Sequence, residues 1–325
     1  MTKLRPGLQI KKRQVSVTRI RKSFTNLSAA PATNFHGQLG RGQERANSFH
    51  TFESGLDPVC KTISLFLDAI ALTVSNGVPG AEVSLSLLKE SESRRCVRVD
   101  TGGHSGFLKL FAQRNHADRL RYVRERDALT LLKGKAQVVR HLAHYDKRSL
   151  ILTRWQPGRS LSDVITKGNC VNIARSLGQF LASYEAVAPA QPAAGNWYTY
   201  LCGIQNGLGF GPIHQAQDVL KDIPLCGLSL AQNDSALSNI IVTPEGNLKF
   251  CDFESAVFKP RGWSYLNVYL TLAQRLPERA QDIMCAMAEG YSSAHRGAVL
   301  ASELNAVANV LFCGIAANGL PRGSQ

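Results

Sequence analysis

The chain has 325 residues, 44% hydrophobic and 19% charged, with a formal net charge of +14. At about 150 residues per domain this implies two domains or one bilobal one with a sizeable core, and it excludes a wholly disordered chain or a disulfide scaffold. The charge is uneven: residues 1–154 hold 27 Lys/Arg against 12 Asp/Glu, and residues 155–325 hold 11 against 12.

Residues 1–55 read as a disordered basic arm. Lys3, Arg5, Lys11, Lys12, Arg13, Arg19, Arg21 and Lys22 all precede the first acid, Glu44. Large apolar side chains are too sparse there to offset the entropy of ordering. A solvated tail, a targeting segment, or an arm drawn to nucleic acid or an anionic membrane all fit this composition. No apolar core follows the basic start as a secretory signal requires. The longest apolar run, Ile63 to Val74, carries Asp68 and falls short of the roughly 18 residues of a membrane span. None of the eight cysteines forms a CxxC pair, which points to free thiols in the cytoplasm rather than structural zinc.

Asp57-Pro58 signals a helix start. Val59, Ile63, Phe66, Leu67, Ile70 and Val74 then recur at helical spacing, which predicts a helix over 56–76. Three strands are expected next, at Val83–Leu87, Cys96–Asp100 and Phe107–Phe111, joined as an antiparallel meander. The polar turn Glu90 to Arg95 separates the first two, and Gly102, Gly103 and Gly106 read as hairpin-turn glycines. Residues 117–133 are expected to be helical, with an apolar stripe of Leu120, Val123, Ala128, Leu129 and Leu132. Strands are expected over Val138–Tyr145 and Leu150–Thr153. His141 and His144 there read as strand or loop residues and not as metal ligands. From 170 onward the chain reads as mainly helical, with stripes at Ile173, Leu177, Phe180, Leu181, Tyr184 and at Leu300, Leu304, Val307, Leu311. A short strand-rich block over 228–253 interrupts the helices.

That block carries the chemistry. Asp234 and Asn239 lie five positions apart on a polar loop, an apolar strand follows to Val242, and Pro244-Glu245-Gly246-Asn247 makes a turn. A second apolar strand, Leu248 to Cys251, runs into Asp252-Phe253-Glu254. A hairpin brings Asn239 beside Asp252, which assembles hard oxygen donors of the kind a divalent cation takes. Asp234 stands near them, free to accept a proton.

The segment Gln232-Asn233-Asp234-x4-Asn239, followed by Asp252-Phe253-Glu254, resembles the catalytic centre of the aminoglycoside phosphotransferase and choline kinase-like branch of the protein-kinase-like superfamily. Its pattern is H-G-D-x-x-x-x-N, a strand hairpin, then D-x-E/D. Three upstream segments match in order: Phe107-Leu108-Lys109-Leu110 resembles the strand with the phosphate-binding lysine, Glu125-x3-Leu129-x2-Leu132 the helix whose glutamate pairs with it, and Leu150–Leu161 the interlobe strand and hinge. The likeness covers roughly residues 80–315.

The resemblance implies an α+β, bilobal protein-kinase-like fold: a small antiparallel β-sheet lobe and a mainly helical one. Its divisions would be the arm at 1–55, a nucleotide-binding lobe at 56–156, and a lobe at 157–325 with the catalytic loop, metal site and acceptor-binding helices. It implies transfer of the γ-phosphate of ATP or GTP to a hydroxyl of a small molecule. Asp234 would be the catalytic base, and Asn239 and Asp252 would hold Mg²⁺. Lys109, Glu125, Trp155 and Gln156 would serve the nucleotide, with Trp155 either an adenine contact or a packing residue. The turn Glu90 to Arg95 would cover the phosphates. Gln232 and Asn233 replace the family's histidine and glycine; the histidine organises the loop and the metal-binding aspartate by hydrogen bonds. Two other readings stand beside this one: a degenerate kinase-like binding module whose arm contacts nucleic acid or membrane, and a protein kinase. Lys259 and Arg261 after the Asp252 motif weigh against a polycationic acceptor.

Overall fold

The computed structural model describes residues 83–101, 104–204, 211–234, 236–294 and 300–318. The basic arm, the helix expected over 56–76, and Gly102 and Gly103 lie outside them. Among the described residues no helix is long and apolar enough to cross a membrane.

The amino-terminal part is a five-stranded antiparallel sheet. Strands β1 (Val83–Glu90), β2 (Arg94–Thr101) and β3 (His104–Phe111) form the expected meander. Helix α1 (His116–Leu131) follows, then β4 (His141–Tyr145) and β5 (Leu150–Arg154). The sheet order is β1-β2-β3-β5-β4. Period-two alternation divides the sheet into two faces. Val97, Val99, Leu108, Leu110, Leu150 and Leu152 make a small core on one face. Phe111 and Ile151 point the other way, into the main core that includes α1. Lys109 sits between Leu108 and Leu110, so alternation turns it to that second face as well.

Four details differ from the expected pattern. Gly106 lies within β3, not in the turn, and a Cβ there would meet Leu152 Cδ1 at 3.0 Å, so its lack of a side chain admits β5. Leu120 is 36% exposed; the inward face of α1 is instead Asp118, Tyr122, Glu125, Ala128 and Leu129, an i, i+4, i+7, i+10, i+11 stripe that includes two acids. Val138 and Val139 do not belong to β4. They cross to the second half of the molecule, where Val138 bridges Phe250 in parallel and Val139 N–H donates to Phe250 O at 3.1 Å. Leu300 is 58% exposed, ahead of the last helix.

The carboxy-terminal part is mainly helical. Strand β6 (Arg159–Ser160) leads to α2 (Leu161–Val164) and α3 (Cys170–Val187). Next come β7 (Ala190–Gln191), α4 (Trp197–Gly203), α5 (Gly211–Gln215) and α6 (Gln217–Lys221). The block expected over 228–253 forms β8 (Leu228–Ala231), β9 (Ile240–Val242) and β10 (Leu248–Phe250). After β11 (Val257–Pro260) come α7 (Trp263–Arg275), α8 (Ala280–Ala294) and α9 (Ala301–Asn318). Two three-stranded sheets, β10-β9-β6 and β11-β8-β7, sit among the helices.

Helices α3 and α8 cross at reciprocal glycines. A Cβ on Gly178 would run into Met287 O, and one on Gly290 into Arg175 O. The side chains of α3 then fix the catalytic segment from behind: Tyr184 O–H donates to Leu230 O at 2.7 Å, at the end of β8.

Candidate active site

Strand β3 and helix α1 meet at a buried ion pair. Lys109 Nζ lies 2.6 Å from Glu125 Oε2 and 2.8 Å from Asp252 Oδ1, with Glu254 Oε2 at 3.9 Å. Lys109 is 3% and Glu125 4% exposed. Burial by itself would lower the Lys109 ammonium, but Glu125 and Asp252 outweigh it and hold the group above its ordinary value. Burial pushes the Glu125 carboxyl up to about 7, against the pull of Lys109. The nearest acid on the helix, Asp127, points elsewhere and pairs with Arg126 at 2.8 Å.

The loop after β8 supplies the opposite wall. Asp234 Oδ1 accepts from Ala236 N–H at 3.1 Å, which closes a turn on the side chain's own loop. Asp234 Oδ2 accepts from Asn239 Nδ2 at 2.9 Å. Asn239 ends a single 3₁₀ turn, Leu237–Asn239, just before β9. Across the hairpin, Cys251 N–H donates to Asn239 O at 2.9 Å, so Asn239 and Asp252 emerge side by side. Asp252 has φ +63°, a left-handed backbone that is uncommon outside glycine and concentrates at functional sites. Burial would raise its carboxyl, but Lys109 and Arg94 hold it below the usual range.

The two departures from the family pattern each have a physical account. Gln232 is buried, and its Nε2 donates to Asp252 O at 2.9 Å, which ties the loop to the Asp252 backbone. Asn233 has φ +60°, the left-handed region that asparagine tolerates better than most residues. Its Oδ1 accepts from Trp263 Nε1 at 3.1 Å.

Arg94 is the site residue that sequence reasoning missed. Its Nη1 lies 3.3 Å from Asp252 Oδ2 and makes a closer ion pair with Glu254 Oε2. Carboxylate oxygens of Glu125, Asp252 and Glu254 all fall within 4.8 Å of one another. Two cations, Lys109 and Arg94, therefore face three carboxylates. A signal existed in the strand register: Cys96 is directly opposite Lys109, and Arg94 is two residues from Cys96, hence on the same face. The acids of the preceding turn, in contrast, turn outward. Glu90 pairs with Arg95 and Glu92 approaches Arg114 at 3.6 Å, both at exposed positions. The start of β2 thus offers the cleft an arginine, and the turn before it does not offer its acids.

These groups line one cleft of about 530 Å³ between the sheet and the helical part. Leu88, Phe107, Val139 and Ile241 provide apolar walls, and Lys109, Asp234, Asn239 and Asp252 provide polar ones. Trp155 and Gln156 also line it. The Trp155 backbone N–H donates to Ser105 O at 2.9 Å, and its ring lies 4.7 Å under the Arg98 guanidinium. The Gln156 side-chain amide donates to Pro157 O at 3.3 Å. All seven residues singled out in the sequence thus border this cleft.

No protein-family model matches the chain, and no curated protein matches it. Solved structures do. A macrolide 2'-phosphotransferase from Brachybacterium faecium, as apoenzyme, aligns at 16% identity over 78% of this chain and 89% of that one, with TM-score 0.52. Plasmodium vivax ethanolamine kinase aligns at 13% identity over 78% and 79%, with TM-score 0.50. An aminoglycoside phosphotransferase aligns at 14% over 77% and 99%, with TM-score 0.45. At these identities the likeness establishes the fold alone: the chain shares the α+β fold of the macrolide 2'-phosphotransferase and the ethanolamine kinase, the kind of fold that the sequence resemblance implied.

Proposed function

We propose that the chain is an ATP- or GTP-dependent phosphotransferase that moves the γ-phosphoryl group to a hydroxyl of a small molecule. One observation carries the reading: Asp234, Asn239 and Asp252 converge with the Lys109–Glu125 pair on a single cleft, within a fold shared with solved phosphotransferases.

Phosphoryl transfer has a loose transition state, so the protein contributes mainly position and charge neutralisation. Lys109, held by buried Glu125, meets the nucleotide phosphates. Trp155 and Gln156 border the space for the base. Asp234 accepts the proton of the acceptor hydroxyl. The Asn239 amide, bonded to Asp234 Oδ2, fixes the orientation of that carboxylate. Asp252 and Asn239 would hold Mg²⁺; the clustered carboxylate oxygens and the amide suit a hard cation. When bound, the ion neutralises phosphate charge. Arg94 shares the Asp252 and Glu254 carboxylates, and would supply positive charge to the phosphates where a cation takes those oxygens.

Further features support this choice over its competitors. Gln232 and Asn233 perform the hydrogen bonding and the left-handed turn that the replaced histidine and glycine would, which favours an active enzyme over a degenerate scaffold. Strand β11 begins at Val257, so only four residues separate Asp252 from it, with no room for the long segment on which a protein substrate would dock. Nucleotide use and free thiols at Cys96, Cys170, Cys202, Cys226, Cys251 and Cys285 suit the cytoplasm.

The test is γ-phosphate transfer to a panel of hydroxyl compounds by wild type and Asp234→Asn. The variant should lose about 10²–10⁴-fold in turnover, the worth of a positioned base, while its nucleotide affinity stays within about threefold. Near-full turnover in the variant rejects the role.

A further inference from the structure

Beyond Asn233 the catalytic loop touches an aromatic cluster. Trp263, whose Nε1 donates to Asn233, stacks on Trp197 at 6.3 Å with rings 8° from parallel. It also meets Tyr200 edge-on at 5.7 Å. An aromatic surface of this kind, hydrogen-bonded to the residue that precedes Asp234, is a ready seat for a cation. The chain fills it itself. Lys259 Nζ, from β11, lies 5.0 Å from the Trp263 ring centre and 5.9 Å from that of Tyr200.

Lys259 makes no ion pair among the described residues. Its neighbour Arg261 faces buried Glu185, whose carboxylate already accepts from Gly262 N–H and, at 2.6 Å, from Tyr291 O–H. The ammonium of Lys259 is thus propped on two rings, half-buried, with its hydrogen-bonding capacity uncommitted to any carboxylate. An acceptor amine brought here meets a fixed positive charge. A carboxylate or phosphate meets a preset donor, in a place less screened by salt than open surface.

We propose that Lys259, held by Trp263 and Tyr200, is an anion-binding subsite for the acceptor, and that the acceptor is a hydroxyl compound bearing a carboxylate or phosphate. The assignment of this position to the acceptor rests on the phosphotransferase reading; the binding of an anion there does not. The near-neutral balance of residues 155–325, 11 Lys/Arg against 12 Asp/Glu, agrees, since a polycation would need an acidic wall.

The test is calorimetric titration of the full chain, with Mg²⁺ and ADP present, by glycerol 3-phosphate, glycerate, glycerol and ethanolamine. One or both anions should bind at least tenfold tighter than glycerol and ethanolamine, and weaken as salt rises; which anion is tighter separates phosphate from carboxylate. Lys259→Met should remove that advantage and Lys259→Arg retain it, with melting temperature and ADP affinity unchanged in both. Lys259→Glu should favour ethanolamine. Tightest binding of ethanolamine by wild type, no anion binding at all, or indifference to Lys259→Met overturns the subsite. Failure of ADP to bind, with Lys259-dependent anion binding intact, instead overturns the phosphotransferase reading and leaves the anion site standing.

Discussion

Lys109→Met probes the buried pair at the centre of the site. The substitution keeps the stem volume and deletes the charge that faces Glu125 at 2.6 Å and Asp252 at 2.8 Å. Asp252 retains Arg94, but Glu125 is left buried without its cation partner. Removing one member of a buried pair costs about 3–5 kcal/mol. For a chain of this size that is a fall in melting temperature of roughly 4–7 °C. The cost depends on pH with a definite sign. Burial already places the Glu125 carboxyl at about 7 with Lys109 present, above its unfolded value of roughly 4.3. A raised folded value contributes stability that is complete below the unfolded value and lost as pH rises through the folded one. In wild type that loss ends near pH 7. Without Lys109 the folded value climbs further, so the variant goes on losing up to about 1.4 kcal/mol per pH unit above pH 7. The gap between the two proteins should therefore widen from pH 7 to pH 9. Adding Glu125→Leu removes the stranded carboxyl and should recover most of the loss. Denaturant unfolding of the two single variants and the double variant at pH 7 and pH 9 reads all of this. A cost below about 1 kcal/mol at pH 9, or additive effects in the double variant, would show that Glu125 does not depend on Lys109 in the folded protein.

Arg94→Met removes a cation that shares Asp252 and Glu254, so nucleotide-free Mn²⁺ binding, followed by electron paramagnetic resonance, should tighten about tenfold, or about 1.4 kcal/mol; unchanged affinity would show that Arg94 does not compete for those oxygens. Gly178→Ala forces a methyl against the backbone of Met287 and Tyr291 and should cost about 1–3 kcal/mol as α3 and α8 part, whereas an unshifted melting curve would contradict that packing. Burial raises the Glu185 carboxyl, so wild type should be more stable relative to Glu185→Gln at low pH and lose that advantage as pH rises through the folded value; a pH-independent difference in melting temperature would argue against it.

What the sequence disclosed follows from how local each feature is. Strand alternation around Lys109, the loop from Gln232 to Asn239 and the hairpin to Asp252 are contained in short windows, so the fold and the cleft residues could be read from them. Glu125 needed one step more, since its inward position depends on which side of α1 packs on the sheet; the stripe drawn through Leu120 would have put the helix at a different rotation. Arg94 is one of many arginines in the basic half, and its partners lie some 160 residues away, so only the register opposite Lys109 marks it. The crossing of Val138 and Val139 to Phe250 was invisible because an apolar extended pair reads the same whether it joins one sheet or bridges two. Lys259 was visible as a charge, but not its seat on Trp263 and Tyr200, which requires α4, β11 and α7 to meet.

Calorimetric binding of ATP and GTP, each with and without Mg²⁺, to wild type and Asp252→Ala tests for a metal-dependent nucleotide site without knowledge of the acceptor. Binding of at least one nucleotide should depend on Mg²⁺ and weaken at least tenfold with the substitution. No binding of either nucleotide at millimolar concentration, or binding indifferent to both Mg²⁺ and Asp252, would contradict such a site.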